Sequence, residues 1–404
     1  MAQVIGYAIA PILTRLYSTA EMGEMLFYMR LIAFISSIAT LRYEAALPLP
    51  KRDEHSYLLY RFVYLFSFWI LVFVLLILIV FTWAWDVTHF EPWFLLFVVF
   101  GTAAMIIINV GTSWAVRVGS YGIISRQKIS NSLVANGLKL GFSFLKWGSF
   151  GLILATMLGF LVSAIEFIWD FKRTHFRFKK DFSSSKTRAV LKEHREFPIL
   201  NLPHVFIDNG RDILLATFIL AYFGEAVYGS YGHAYQMLRI PLMLIGVSIG
   251  QLFYNRSTAA MHLNKPITPI LSKTLTTLGL MAIIPFTVLF FVGTDIFAFV
   301  FGKQWSEAGT YAETMSFWLM VNFILSPITA RPLLLNKQRY ALFMGLISSL
   351  IQVVPFWIFP WLWGKNSSVF MITLQTVSYA QALWLLFTLM LYYRFSKAFD
   401  KQLV

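Results

Sequence analysis

The sequence predicts an all-α polytopic membrane protein with about 12 transmembrane helices in two six-helix bundles. Of its 404 residues, 58% are hydrophobic and only 13% are charged, whereas soluble domains are about 25% charged. Apolar runs long enough to cross a bilayer recur along the whole chain. The formal charge of +14 would suggest nucleic acid in a soluble protein. In a membrane protein it indicates cytoplasmic loops beside anionic lipid, so no nucleic-acid partner is expected.

The predicted spans fall into two groups of six, separated by a basic stretch. Residues 1-171 hold the first group, whose first helix is short at its amino end and shows no cleavable signal peptide. Residues 172-197 form a basic cytoplasmic linker, and residues 198-404 hold the second group. The predicted spans are 1–17, 25–41, 62–83, 92–116, 129–145, 150–171, 198–223, 231–254, 270–292, 308–335, 340–363 and 369–393.

The positive charges predict the orientation of these spans. Basic residues gather in alternate loops, and the loops between them are nearly free of Lys and Arg. Cytoplasmic loops of membrane proteins carry such an excess of positive charge. The pattern therefore places the linker and both termini in the cytoplasm, and removing one span would spoil the alternation.

The predicted span 198–223 carries five polar residues at positions that share one helical face. They follow one another at steps of three, four, three and one: Asn201, His204, Asp208, Arg211 and Asp212. Charges at bilayer depth are costly and persist where they face a bundle interior or a wet cavity. We interpret this face as the wall of an intramembrane cavity. The alternative is a local ion pair of Asp208 with Arg211 or Asp212.

Other spans add polar side chains with the same spacing. Lysine and arginine complement phosphate, and tyrosine packs against sugar rings while its hydroxyl donates a hydrogen bond. Carboxylates in secondary transporters carry coupling ions, here H+ or Na+, or act as counter-ions. The patterns predict a diphosphate-binding set of Arg211, Arg239, Lys139 and Arg30, a sugar- or polar-binding set of Tyr235, Gln236, Asn136, Asn201 and His204, and an ion-coupling set of Asp208, Asp212 and Glu166.

Several function classes lack their signatures in the sequence. There is no cysteine, so a disulfide framework and a thiolate metal site are excluded. No zinc-binding His-Glu-x-x-His pattern, Walker loop or Gly-x-Ser-x-Gly elbow occurs. An enzyme is therefore disfavoured, and no metal or other cofactor is expected.

Four stretches resemble a known family. PILTRLYSTAEMG at 11–23, LRYEAALPLPK at 41–51, AYQMLRIPLMLIGVSIG at 234–250 and FGKQWSEAG at 301–309 are similar to stretches of the polysaccharide transporters. These are O-antigen or lipid-linked oligosaccharide flippases of the multidrug/oligosaccharidyl-lipid/polysaccharide (MOP) exporter superfamily. Family members usually begin with further residues that complete the first span.

The resemblance implies a V-shaped pair of six-helix bundles around a cationic cavity that works by alternating access. It implies export of an undecaprenyl-diphosphate-linked oligosaccharide across the bacterial inner membrane, driven by ion or proton gradients. The expected partners are this substrate, membrane lipids and other polysaccharide-assembly proteins. Three alternatives stay open: a multidrug or cation antiporter of the same superfamily, which the buried cations disfavour, a membrane enzyme of glycan assembly, and a scaffold that does not transport.

Overall fold

Helices make up every regular element that the structure describes. The computed structural model describes residues 2–85, 91–175, 184–329 and 337–402. Its thirteen α-helices are α1 Ala2–Leu16, α2 Thr19–Ala39, α3 Asp53–Trp85, α4 Pro92–Arg117, α5 Tyr121–Phe144, α6 Gly148–His175, α7 Ser184–Glu193, α8 Leu202–Phe223, α9 Glu225–His262, α10 Thr268–Phe301, α11 Ser306–Leu325, α12 Gln338–Trp363 and α13 Ser367–Lys401. Short 3₁₀-helices cover Tyr43–Ala46, Lys303–Trp305 and Ser326–Ile328, and a π-helix covers Phe197–Asn201.

Helix α7 differs from the other twelve in length and position. It has 10 residues, so at about 1.5 Å per residue it cannot cross a bilayer core of about 30 Å. It lies in the predicted linker between α1–α6 and α8–α13. Part of that linker, 176–183, lies outside the described residues. The described helices thus follow the predicted order of six, linker and six.

Hydropathy separates the long helices into two groups. Seven described helices are long and apolar enough to cross a membrane: α2, α3, α4, α6, α10, α12 and α13. Helices α5, α8 and α9 are among those that miss this threshold, and they carry most of the predicted site residues. Polar side chains lower the mean hydropathy of a helix, and in a bundle they are expected to face its interior.

Most predicted spans are shorter than the helices that contain them. The span predicted at 231–254 lies inside α9, which covers Glu225–His262, and the span at 62–83 lies inside α3, which covers Asp53–Trp85. Hydropathy detects the apolar part of a helix and misses polar turns that continue it. The span predicted at 308–335 is α11 followed by the 3₁₀-helix Ser326–Ile328, and its end at 330–335 lies outside the described residues.

The first compact unit comprises Met1–Tyr17 and Glu24–Ile213. In it α6 packs against α4 and α5, α1 packs against α5, and α3 packs against α4 and α7. Val190 of α7 is buried in the same core as Leu59, Val63 and Val110. The amphipathic α7 is thus held on this unit by its apolar face.

The second compact unit comprises Ser18–Gly23 and Leu214–Val404. Helix α11 lies at its centre and contacts α9, α10 and α13. The division between the units falls inside α8, because side chains on its first half contact α2. The domain boundaries predicted from the sequence, 1-171, 172-197 and 198-404, stay a prediction.

Candidate functional site

The predicted polar face of α8 forms a chain of ion pairs. His204 Nδ1 lies 3.4 Å from Asp208 Oδ2, and Asp208 Oδ1 lies 3.7 Å from Arg211 Nη1. Arg211 also donates to Asp212 Oδ1 from Nε at 3.0 Å and from Nη2 at 2.8 Å. The Asp208–Arg211 contact is the local ion pair given above as the alternative, and the cavity wall stays a prediction.

Arg30 joins this chain from α2. Its Nη1 donates to Asp212 Oδ2 at 2.9 Å. Phe34, one turn further along α2, packs on Phe206 with ring centroids 5.5 Å apart. Because later residues of α2 meet earlier residues of α8, the two helices run antiparallel at this point. This packing brings two residues of the predicted diphosphate-binding set, Arg30 and Arg211, onto one carboxylate.

The formal charges of the four groups at the centre of this ion-pair chain add up to zero. Arg30 and Arg211 contribute two positive charges, and Asp208 and Asp212 contribute two negative charges. Arg211 and Asp212 are mostly buried, with side-chain exposures of 17% and 16%, whereas about half of Asp208 is exposed. In this conformation the two aspartates are counter-ions to the arginines. Their role in coupling an ion stays a prediction.

Asn201 belongs to a second polar cluster, at the end of α2. Its Oδ1 accepts a hydrogen bond from Arg42 Nε at 3.0 Å, and Arg42 Nη1 donates to Glu44 Oε1 at 2.8 Å. Arg42 has a left-handed backbone, with φ of 61°. The carboxyl group of Glu44 is nearly inaccessible, and this burial raises its pKa while Arg42 opposes the rise.

Helix α5 holds Lys139 and Asn136. Asn136 Nδ2 donates to Ser132 Oγ at 3.2 Å, and the backbone oxygen of Lys139 accepts from Tyr17 Oη at 2.6 Å. Within the described ranges, the Lys139 side chain makes no hydrogen bond or ion pair. It is therefore an uncompensated cation on a polar helix of the first unit.

Glu166, the third predicted ion-coupling residue, lies on α6. Its Oε2 is 3.5 Å from Arg126 Nε of α5, and the Glu166 side chain is 20% exposed. The pair links α5 and α6 in the first unit, which is a structural role. Ion coupling by Glu166 stays a prediction.

In the second unit, Arg239 and Tyr235 form a cation–π pair on α9. The guanidinium carbon of Arg239 lies 5.2 Å from the centre of the Tyr235 ring. Tyr235 in turn stacks on Trp318 of α11 at 5.8 Å between ring centroids. Gln236, the third predicted residue on this helix, is exposed. The predicted meeting of Arg239 with the cations of the first unit stays a prediction.

Sequence reasoning missed a carboxylate that contacts a neighbouring helix in the second unit. Helix α10 has a non-helical residue at Val292 (φ −134°, ψ 21°), and the freed Thr294 N–H donates to Glu313 Oε1 of α11 at 2.7 Å. Gly293 permits this approach, because a Cβ there would lie 2.8 Å from Glu313 Cγ. An acidic residue inside the predicted span 308–335 was the available signal.

A neutral polar cluster between α12 and α13 was missed as well. Gln381 Nε2 donates to Ser348 Oγ, and Gln352 Nε2 donates to the Ser348 backbone oxygen at 3.3 Å. Both glutamine side chains are buried, and neither Oε1 atom has a partner within the described part of the chain. The available signal was a glutamine inside each of two neighbouring apolar spans.

The comparisons with known proteins decide the family. A family model described as "Polysaccharide biosynthesis protein" matches residues 12–310. The chain belongs to this polysaccharide biosynthesis protein family. A search of the curated proteins with this sequence finds no match.

Solved structures of MOP transporters share the fold of this polysaccharide biosynthesis protein. Lipid II flippase MurJ in an inward closed conformation has a TM-score of 0.71 at 15% identity, covering 96% of this chain and 86% of that one. An inward-facing multidrug resistance MATE family transporter has a TM-score of 0.66 at 13% identity, covering 96% and 95%. A MOP superfamily transporter from Pyrococcus furiosus scores 0.53 at 13% identity, covering 97% and 93%. The predicted all-α polytopic fold is thereby confirmed, and the family model confirms the predicted link to polysaccharide biosynthesis.

Proposed function

We propose that this protein is a flippase for an undecaprenyl-diphosphate-linked oligosaccharide, such as an O-antigen unit. It acts in the bacterial inner membrane by alternating access, with both termini in the cytoplasm. The family of polysaccharide biosynthesis proteins and the fold shared with a lipid II flippase support this proposal. Membrane lipids and other polysaccharide-assembly proteins are the remaining proposed partners.

The observation that carries the proposal is the convergence of two arginines, from α2 and α8, on one carboxylate. Arg30 and Arg211 donate to the two oxygens of one carboxylate, at 2.9 Å and 2.8 Å. Guanidinium groups held in this way match the geometry and charge of a phosphate. Lys139 on α5 and Arg239 on α9 are the other two residues of the proposed diphosphate-binding set.

The proposed roles of the remaining residues follow from their chemistry. Tyr235 and its stacking partner Trp318 offer an aromatic surface of the kind that packs against sugar rings. Polar contacts to the glycan are assigned to four side chains, and coupling of H+ or Na+ to three carboxylates. The first group is Gln236, Asn136, Asn201 and His204, and the second is Asp208, Asp212 and Glu166.

Translocation by the purified protein tests this function. The protein is reconstituted into liposomes with a fluorescent lipid-linked oligosaccharide, and outward movement is measured with and without imposed pH and sodium gradients. We expect translocation above that of protein-free liposomes, with the glycan chemically unchanged. Covalent alteration of the glycan would instead indicate an enzyme of glycan assembly.

Replacing Arg211 tests the proposed site. We expect the Arg211→Ala variant to lose roughly 10- to 100-fold in translocation, because a charge-assisted hydrogen bond contributes about 1.5–3 kcal/mol. Insertion should persist, since Arg30 still neutralises Asp212. Arg188→Ala is the control, because Arg188 is exposed on α7 outside the spans. Undiminished translocation by Arg211→Ala would remove Arg211 from the site.

A cation antiporter is the second candidate, because MATE transporters share the fold and carboxylates lie in the cluster. In this protein Arg211 pairs with both Asp208 and Asp212, which leaves little negative potential for a cationic drug. Transport of cationic dyes against a proton or sodium gradient, in liposomes that do not move the lipid-linked oligosaccharide, would favour the antiporter.

A further inference from the structure

We propose that Asp212 is an internal counter-ion that the substrate displaces, and that it makes the Arg30–Arg211 pair selective for diphosphates over single phosphate groups. The inference rests on the proposed function, since it concerns the same site. It assigns to Asp212 a role in specificity, distinct from the ion coupling predicted from its charge.

The geometry shows Asp212 in the position that an anionic ligand would take. Its Oδ2 accepts from Arg30 Nη1 at 2.9 Å, and its Oδ1 accepts from Arg211 Nε and Nη2 at 3.0 Å and 2.8 Å. Each carboxylate oxygen therefore serves one guanidinium, and the carboxylate bridges two helices. Two arginines around one small anion form the arrangement that also binds phosphate.

The environment makes this contact strong and still reachable. Side-chain exposures are 32% for Arg30, 16% for Asp212 and 17% for Arg211. Partly buried charges interact more strongly than surface charges, because less water screens them. The remaining exposure means that the described residues do not fully enclose the two guanidinium groups.

Competition with the carboxylate produces the selectivity. A ligand with one phosphate group can contact both guanidiniums only by taking the place of the Asp212 carboxylate. That phosphate group is similar in size to the carboxylate, so it gains few additional contacts. The displaced Asp212 is then left without a partner and repels the ligand. A diphosphate offers a separate phosphate group to each guanidinium, which offsets that cost. The Asp212 carboxylate thus lowers the affinity for ligands with one phosphate group more than the affinity for diphosphates.

Binding of inorganic anions to the full-length protein in detergent tests the inference without any lipid carrier. Affinities for inorganic pyrophosphate and inorganic phosphate are measured by calorimetry for the wild type and for Asp212→Asn. We expect the wild type to prefer pyrophosphate by about tenfold or more. The Asp212→Asn variant should lose most of that preference through tighter phosphate binding, because a neutral amide replaces the charged carboxylate that bridges the two guanidiniums.

Three further variants control for folding and for general charge. Asp212→Glu keeps the carboxylate and should keep the preference. Asp208→Asn removes a charge one turn away whose contact with Arg211 is longer, at 3.7 Å, so its effect on the preference should be clearly smaller. Asp295→Asn, at an exposed position of α10, should leave both affinities unchanged. Thermal melting of each variant identifies any that has failed to fold.

The outcomes separate this inference from the function on which it rests. If the wild type prefers pyrophosphate and Asp212→Asn keeps the same preference, the counter-ion inference is wrong and the diphosphate site stands. An equal effect of Asp208→Asn and Asp212→Asn also overturns the inference, because the preference then reflects net charge. If the wild type binds neither anion, the diphosphate site fails and the proposed function loses its main support.

Discussion

At the scale of single residues, Glu44 is a buried carboxyl group outside the membrane spans. It is 3% exposed and lies in the 3₁₀-helix that follows α2. Arg42 contacts one of its oxygens at 2.8 Å, and the other oxygen has no partner among the residues that the structure describes. Burial therefore dominates, and it raises the pKa of Glu44 above its ordinary value of 4.5.

The raised pKa of Glu44 predicts a pH-dependent stability. A carboxyl group with a raised folded-state pKa stabilises the fold fully below its unfolded pKa, and this contribution is lost as the pH rises through the folded pKa. The melting temperature of the wild type minus that of Glu44→Gln should therefore fall as the pH rises above 4.5. The corresponding difference in the free energy of unfolding falls by at most about 1.4 kcal/mol per pH unit.

The control for this experiment is the exposed Glu54 at the start of α3. Melting curves of Glu54→Gln should follow those of the wild type at each pH. A wild-type minus Glu44→Gln difference that stays constant or rises with pH would show that the pairing with Arg42 outweighs burial.

Sequence spacing gave the shared face of α8 and could not give its partners. The steps between His204, Asp208, Arg211 and Asp212 follow from helical pitch alone. That Asp212 meets Arg30, 182 residues earlier in the chain, depends on the packing of two helices that no local pattern encodes. The same reason left the contact of Asn201 with the end of α2 unpredicted.

At the scale of elements, α2 and α9 approach each other through two glycines of the second unit. A Cβ on Gly229 would lie 1.8 Å from the Thr19 backbone oxygen, and a Cβ on Gly23 would lie 2.3 Å from the Glu225 backbone oxygen. These distances are far shorter than any van der Waals contact. Only glycine lets the two backbones pack so closely, as in other membrane helix pairs.

Adding a methyl group at this crossing should separate the helices. The Gly229→Ala variant is expected to destabilise the protein by about 1–3 kcal/mol, the usual cost of overpacking, which thermal melting in detergent detects. Gly345→Ala on α12 is the matched control, because nothing lies within 4 Å of its added Cβ. It should be neutral or stabilising by up to about 1 kcal/mol, and equal melting of the two variants would contradict the close crossing.

The break in α10 shows why an element's shape was only partly predictable. Pro285 lies inside this helix, where a proline commonly causes a kink. The structure keeps helical backbone at Pro285 and loses it at Val292. There the Glu313 carboxylate of α11 accepts the freed Thr294 N–H. The break thus depends on a carboxylate from another helix, which periodicity within α10 does not reveal.

At the scale of the whole molecule, the number of long helices in the described part of the chain predicts the relation between the two termini. Twelve described helices other than α7 have 15 residues or more, with six on each side of α7. If each of them crosses the bilayer, an even number of crossings places both termini on one side. The basic residues of the alternate loops predict that this side is the cytoplasm.

Labelling of single cysteines tests this topology, and the chain suits it because it contains no cysteine of its own. Ser185 on α7, Lys365 between α12 and α13, and Gln402 after α13 are all exposed. In intact cells, a maleimide that cannot cross membranes should label Lys365→Cys and should leave Ser185→Cys and Gln402→Cys unlabelled until the membrane is permeabilised. Labelling of Ser185→Cys in intact cells would place the basic linker outside.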